Sequence, residues 1–105
     1  MAVTFVNLFE VQPGRDEAFM ELWQRVNEYM RGKPGYIDHK LHRALSGDAR
    51  YRFVNIVHWA SESAWQAAHD NGFHALTGDP AWKEFPPLPT LYQVVHENHA
   101  AGATA

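Results

Sequence analysis

The spacing of apolar residues switches twice between a period of two and a period of about 3.6, and few folds accommodate that order. Residues 3–11 (VTFVNLFEV) are β-branched and aromatic and are broken by Pro13-Gly14, which predicts a first strand. From Asp16 the period changes. Phe19, Leu22, Trp23, Val26 and Met30 recur at helical spacing, Asp16 and Glu17 suit the positive end of the helix dipole, and Lys33-Pro34-Gly35 closes the segment. Residues 36–45 and 50–59 predict two strands joined through the Ser46-Gly47-Asp48 turn. Ser61 then serves as an N-cap, with Ala64, Trp65 and Ala68 on one face of a short helix expected to end near Asn71-Gly72. Asp79-Pro80 predicts an extra turn over 80–85. The Pro86-Pro87-Leu88-Pro89 stretch predicts a linker, and 90–97 a last strand.

The resulting β-α-β-β-α-β order predicts a ferredoxin-like α+β fold: a two-layer sandwich with an antiparallel sheet, strands one and three at its centre and helices on one face. At 105 residues the chain suits one domain over 1–105, with 99–105 expected to form a loose tail. Strands one and three are apolar at both parities: Phe5 and Phe9 but also Val6 and Leu8, Phe53 and Val57 but also Val54 and Ile56. A half-solvated sheet shows cleaner alternation. A second copy packed over the bare face accounts for the pattern, which gives the expectation of a homodimer, a dimeric α+β barrel.

Composition narrows the function. A net charge of −3, with Lys and Arg scattered, offers no stripe for a phosphate backbone, so no nucleic-acid partner is expected. No apolar run approaches the ~20 residues of a membrane span, and residues 1–5 lack the pattern of a signal peptide; the expectation is a soluble, cytoplasmic protein. The absence of cysteine removes thiolate nucleophiles and Cys-type metal sites. The seven histidines have no metal-site spacing. His39 and His42 fall on opposite faces of a strand, and His69 and His74 straddle an expected helix end, so no metal is predicted. Neither a nucleophile elbow nor a glycine-rich phosphate loop is present.

The candidate chemistry lies elsewhere. Asn7 and Asn55 interrupt the two central strands at the parity of Phe5/Phe9 and Phe53/Val57, so both amides are expected to face the helices. Each buried amide must find a partner, either the other amide, backbone or water, or else a ligand. Trp23 and Trp82 read as core. Trp59 and Trp65 flank the strand-to-helix junction, where they either pack or stack on a flat substrate. His58, His69 and His74 are surface or core groups or, with an unperturbed pKa near 6.5, general bases.

Lys33-Pro34-Gly35-Tyr36 resembles the Pro-Gly-aromatic lead-in to strand two of the antibiotic biosynthesis monooxygenase-like domains. Trp59-Ala60-Ser61-Glu62-Ser63-Ala64-Trp65 is similar to their Trp-x-Ser-x-x-Ala-aromatic stretch. The resemblance covers residues 3–97 and implies a small dimeric α+β barrel. For the branch that oxidises planar anthrones with molecular oxygen and no cofactor, it implies Asn55, Trp59 and Asn7 as catalytic residues. Trp65, Phe53, His58, His74 and Phe73 would bind a small hydrophobic aromatic substrate. Trp65 stands where that branch has Tyr, and the branch's Arg has no counterpart. A second branch degrades haem; there Asn7 matches, Ala68 fills the Trp position, and His74 is the nearest histidine to the ligand position. A third possibility is a non-catalytic ligand-binding barrel, expected to have a filled or absent pocket.

Overall fold

The computed structural model describes residues 1–102, so the expected tail falls partly outside the described residues. The elements run β1 (Val3–Phe9), α1 (Asp16–Met30), β2 (Tyr36–Arg43), β3 (Phe53–Trp59), α2 (Glu62–Ala68), α3 (Asn71–Thr77), a 3₁₀ turn (Pro80–Glu84) and β4 (Pro87–Tyr92). The sheet order is β2-β3-β1-β4 with every pair antiparallel, the predicted ferredoxin-like arrangement with β1 and β3 central. No helix among the described residues is long and apolar enough to cross a membrane.

Register decides what faces the helices. Phe5 pairs with Val57, Asn7 with Asn55 and Phe9 with Phe53, and this parity points inward. Two buried clusters result. One joins Phe9, Phe19, Leu22, Trp23, Phe53 and Phe85; the other joins Phe5, Met30, Val57, Trp59 and Ala68. The Asn7–Asn55 rung lies between them. A bulge between Tyr36 and Asp38 brings Tyr36 and His39, three apart in sequence, onto the same face. Leu41 continues that face opposite Asn55.

Two differences from the sequence expectation have structural causes. Asn71-Gly72 begins α3 instead of ending a helix, because the Asp70 carboxylate accepts from Phe73 N at 3.0 Å and caps a new start. Gly72 is needed there because a Cβ would collide with the Tyr29 phenol. β4 begins at Pro87, within the expected linker, and ends at Tyr92. It pairs only with β1, and an edge strand tolerates proline because one side of it needs no N–H.

The turn before β2 depends on Gly35. Its φ of +86° is favourable only for glycine, and an added Cβ would lie 2.5 Å from the Ala64 Cβ. Its carbonyl accepts from Ala60 N at 2.7 Å, and α2 therefore packs against the entrance to β2. Ser61 caps α2 as expected, accepting from Ala64 N at 3.1 Å.

Asp70 ties α3 to the end of α1. Besides capping α3 it accepts from the Tyr29 hydroxyl at 2.7 Å and pairs with Lys33 Nζ at 2.6 Å. The Lys33 ammonium, then the Phe73 N–H and the Tyr29 hydroxyl, hold its carboxyl well below the usual carboxylate range. A carboxyl depressed on folding contributes stability that is complete above the unfolded value of about 3.9 and is lost as pH falls through the folded one. Asp70→Asn, which keeps a capping oxygen, is predicted to lower the neutral-pH melting temperature less than Asp70→Ala. The gap between wild type and Asp70→Asn should close as melts are taken further below pH about 3.9. A gap that persists or widens in acid contradicts this role.

Candidate active site

Between the sheet and the helices, where the two core clusters part, is a cavity of about 780 Å³. Its floor is the inward face of β1 and β3: Phe5, Asn7, Asn55, Val57 and Trp59. Trp23, Asn27 and Met30 of α1, Tyr36 of β2, Trp65 and His69 at α2, and Phe73 of α3 wall it. Trp82 and the exposed Asp79, Lys83, Pro86 and Pro87 form a rim open to solvent. Trp23 and Trp82, read from the sequence as core, reach the cavity while also packing on the first cluster.

The polar groups of this wall are the unusual feature. Among the described residues the buried side-chain atoms without a hydrogen-bond partner are Asn7 Oδ1, Asn55 Oδ1, Trp59 Nε1 and Trp65 Nε1, and all four residues line the cavity. Although cross-strand partners, the two amides do not satisfy each other's oxygens. Asn55 is 9% exposed and Trp59 1%, so bulk water does not reach them freely. Two acceptors and two donors thus lie unpaired just behind the surface of a predominantly aromatic hollow. Each orphaned group costs about 1–3 kcal/mol, which a ligand carrying both hydroxyl and carbonyl functions would relieve. Such a cluster is a sign of function where nothing structural requires it.

Two further polar residues complete the wall. The Tyr36 hydroxyl lies 2.5 Å from His39 Nδ1 and 3.3 Å from Asn27 Oδ1, and burial raises its pKa, so the phenol stays protonated. His69 Nδ1 lies 2.6 Å from the Trp65 carbonyl oxygen. A carbonyl only accepts, so Nδ1 carries the hydrogen and Nε2 is left with its lone pair. Burial pushes the His69 pKa below its ordinary 6.5. Its ring sits against Trp65 at 4.6 Å and Phe73 at 4.5 Å.

Of the eight residues assigned to catalysis or substrate binding from the sequence, Asn7, Asn55, Trp59, Trp65 and Phe73 come together at the cavity. The other three do not. Phe53 has the inward parity but is 1% exposed and stacks on Phe19 at 4.6 Å, one rung beyond Asn55, where it fills the first core cluster. His58 has the opposite parity; it is exposed on the other sheet face and paired with Asp38 at 2.6 Å. His74 is exposed on α3 and does not line the cavity, which leaves His69 as the imidazole a haem iron would have to use. Sequence reasoning named His69 as a candidate general base without assigning it to the substrate pocket, and it left Tyr36 and Phe5 out of the site. The signals were an i, i+4 spacing from Trp65 for His69 and the parity of Asn7 for Phe5, whereas the placement of Tyr36 beside His39 depends on the bulge. No group of three or more potential metal ligands gathers among the described residues.

The sequence profile of the antibiotic biosynthesis monooxygenase family matches residues 2–85. Among solved structures, a protein inferred to be a monooxygenase from Shewanella loihica PV-4 is 28% identical, with TM-score 0.80 over 91% of this chain and 96% of that one. SnoaB, a cofactor-independent oxygenase from Streptomyces nogalater, is 26% identical, with TM-score 0.75 over 91% and 95%. MhuD, solved with manganese protoporphyrin IX in its active site, shares the fold at 22% identity, with TM-score 0.72 over 92% and 98%. No curated protein sequence matches the chain significantly. With most of its length matched, and with a cavity where the sheet meets the helices, the chain belongs to the antibiotic biosynthesis monooxygenase family.

Proposed function

We propose that this protein is a cofactor-independent monooxygenase that oxidises a planar keto-phenol of the anthrone type with molecular oxygen. The observation that carries the reading is the set of four unpaired polar atoms carried by residues that line one aromatic cavity. A flat ring system bearing hydroxyl and carbonyl groups presents the complementary donors and acceptors, and its faces suit the Trp59 and Trp65 walls. The likeness to SnoaB supports the same reaction class.

In this chemistry the substrate supplies all the electrons. Loss of one proton from the methylene carbon gives an enolate, and that carbon adds oxygen to form a hydroperoxide. Loss of the second C–H proton with cleavage of the O–O bond yields a carbonyl and water. The four electrons lost by carbon are the four gained by dioxygen. The protein's part is to hold the ring, exclude water and stabilise the enolate. The Asn55 amide, with Asn7 beside it, presents N–H donors to the enolate oxygen as an oxyanion hole, and its oxygen accepts from a neighbouring hydroxyl of the substrate.

The test uses dithranol, a dihydroxyanthrone, with oxygen uptake measured above the uncatalysed rate. Asn55→Ala should lower kcat by about 10²-fold, the usual cost of one oxyanion donor, while the variant remains folded. Undiminished turnover removes Asn55 from the mechanism. In parallel, haemin should leave the Soret band where free haemin has it; a shifted band that His69→Ala abolishes would replace this reading with a haem-binding one.

The same reading includes a homodimer. On the sheet face away from the helices, Val6, Leu8, Val54 and Ile56 are half-buried, and Leu88 and Tyr92 of β4 are 49% and 53% exposed. No element of the described chain covers this apolar surface. A second copy would bury it and rigidify the floor that carries both asparagines. Sedimentation should give a dimer for the wild type and a monomer for Ile56→Glu; a monomeric wild type contradicts the assembly.

A further inference from the structure

We propose that His69 is the proton acceptor of this reaction, its Nε2 removing the proton from the carbon that is then oxygenated; the inference rests on the oxygenase reading above. Four titratable side chains line the cavity: Tyr36, His69, Asp79 and Lys83. Asp79 and Lys83 belong to the exposed rim, and the Asp79 carboxylate is engaged in capping the 3₁₀ turn, accepting from Ala81 N at 2.9 Å. Tyr36 is a protonated phenol already engaged with His39, so it can donate a hydrogen bond but cannot take a proton at neutral pH.

His69 meets each requirement of a base. Its Nδ1–H is fixed on the Trp65 carbonyl, which selects the tautomer with a free lone pair at Nε2. Phe5, Trp65 and Phe73 hold the imidazole by contact, at ring separations of 6.0, 4.6 and 4.5 Å. Phe5 precedes Asn7 by one rung on the same sheet face, so imidazole and amide occupy adjoining stretches of wall. A ring system lying across Phe5 would present its methylene to one and its oxygen to the other. The lowered pKa keeps the ring neutral near pH 7 and therefore available as a base.

The proton balance closes on this residue. The Nε2 lone pair takes the methylene proton and leaves an enolate hydrogen-bonded to the amide. The oxygenated anion then recovers that proton from the imidazolium as the hydroperoxide forms, returning His69 to its starting state. Around the imidazole, β1 presents Phe5, α2 its own Trp65, and α3 Phe73, with the His74 ring close enough to act on its charge. Asp70, bound to Lys33 and Tyr29, follows it in sequence. His74 lowers the His69 pKa and Asp70 raises it, both by less than burial does. The active form is thus the neutral one, and the rate should fall as pH drops through a value below 6.5.

The experiment compares wild type, His69→Gln and His69→Ala on dithranol across pH. Glutamine retains an amide N–H for the Trp65 carbonyl but has no basic lone pair, so it keeps a contact that alanine loses. His69→Gln should lose about 10²-fold or more in kcat/KM with an unchanged melting temperature, and its residual rate should lack the acid limb. Added imidazole should restore part of the His69→Ala rate. A His69→Gln rate within about threefold of wild type, or a residual rate with the same acid limb, overturns the assignment. A wild type that leaves dithranol at its uncatalysed rate sinks the oxygenase reading itself, whereas an active wild type with an active His69→Gln sinks His69 alone.

Discussion

Asn7 and Asn55 face each other across the two central strands with neither amide oxygen satisfied, and the site is organised around that rung. Apolar side chains there would let the two core clusters merge into one. Instead Phe9 and Phe53 close on Phe19 at one end, while Phe5 and Val57 close on Met30 and Trp59 at the other. The gap between them is the cavity. A protein that retains two unpaired amides in its sheet, each at a cost of about 1–3 kcal/mol, gives up stability at the place where a ligand would restore it.

The rest of the chain positions the walls around this rung. Gly35 lets α2 approach β2 closely, and α2 carries Trp65 over the floor. The helix then breaks at Asp70, and the restart turns Phe73 toward the cavity and leaves His74 in solvent. Tyr29 and Lys33 fix that restart through the Asp70 carboxylate. A contact between the end of α1 and the cap of α3 thus sets where the aromatic wall stands, although Asp70 itself does not line the cavity.

Much of this was legible in the sequence because periodicity and parity are local. The first three strands, the long helix, the Ser61 cap and the Asp79-Pro80 turn follow from residue spacing, and so does the common face of Asn7 and Asn55. His58 was expected to bind the substrate, although its parity is opposite to that of Asn55, and it lies on the other face. Three features depend on contacts that no short window contains. The Asn71-Gly72 pair reads as a helix stop until Tyr29 is seen packed over Gly72. The Pro86–Pro89 stretch reads as a linker until β1 is seen pairing with it. Tyr36 and His39 read as opposite in parity until the bulge between Tyr36 and Asp38 brings them together. Phe53 shows the limit of parity, which gives the face and not whether a neighbour such as Phe19 already occupies the space.

The account's central claim is that the unpaired amides are a cost in the empty protein and a benefit in the liganded one. Thermal unfolding of wild type and Asn55→Leu, each with and without a dihydroxyanthraquinone, tests this most directly. The account predicts that Asn55→Leu, nearly the same shape without the orphaned oxygen, melts above wild type when empty, and that the quinone stabilises wild type far more than the variant. An empty Asn55→Leu that melts below wild type, or equal stabilisation of both by the quinone, would contradict it.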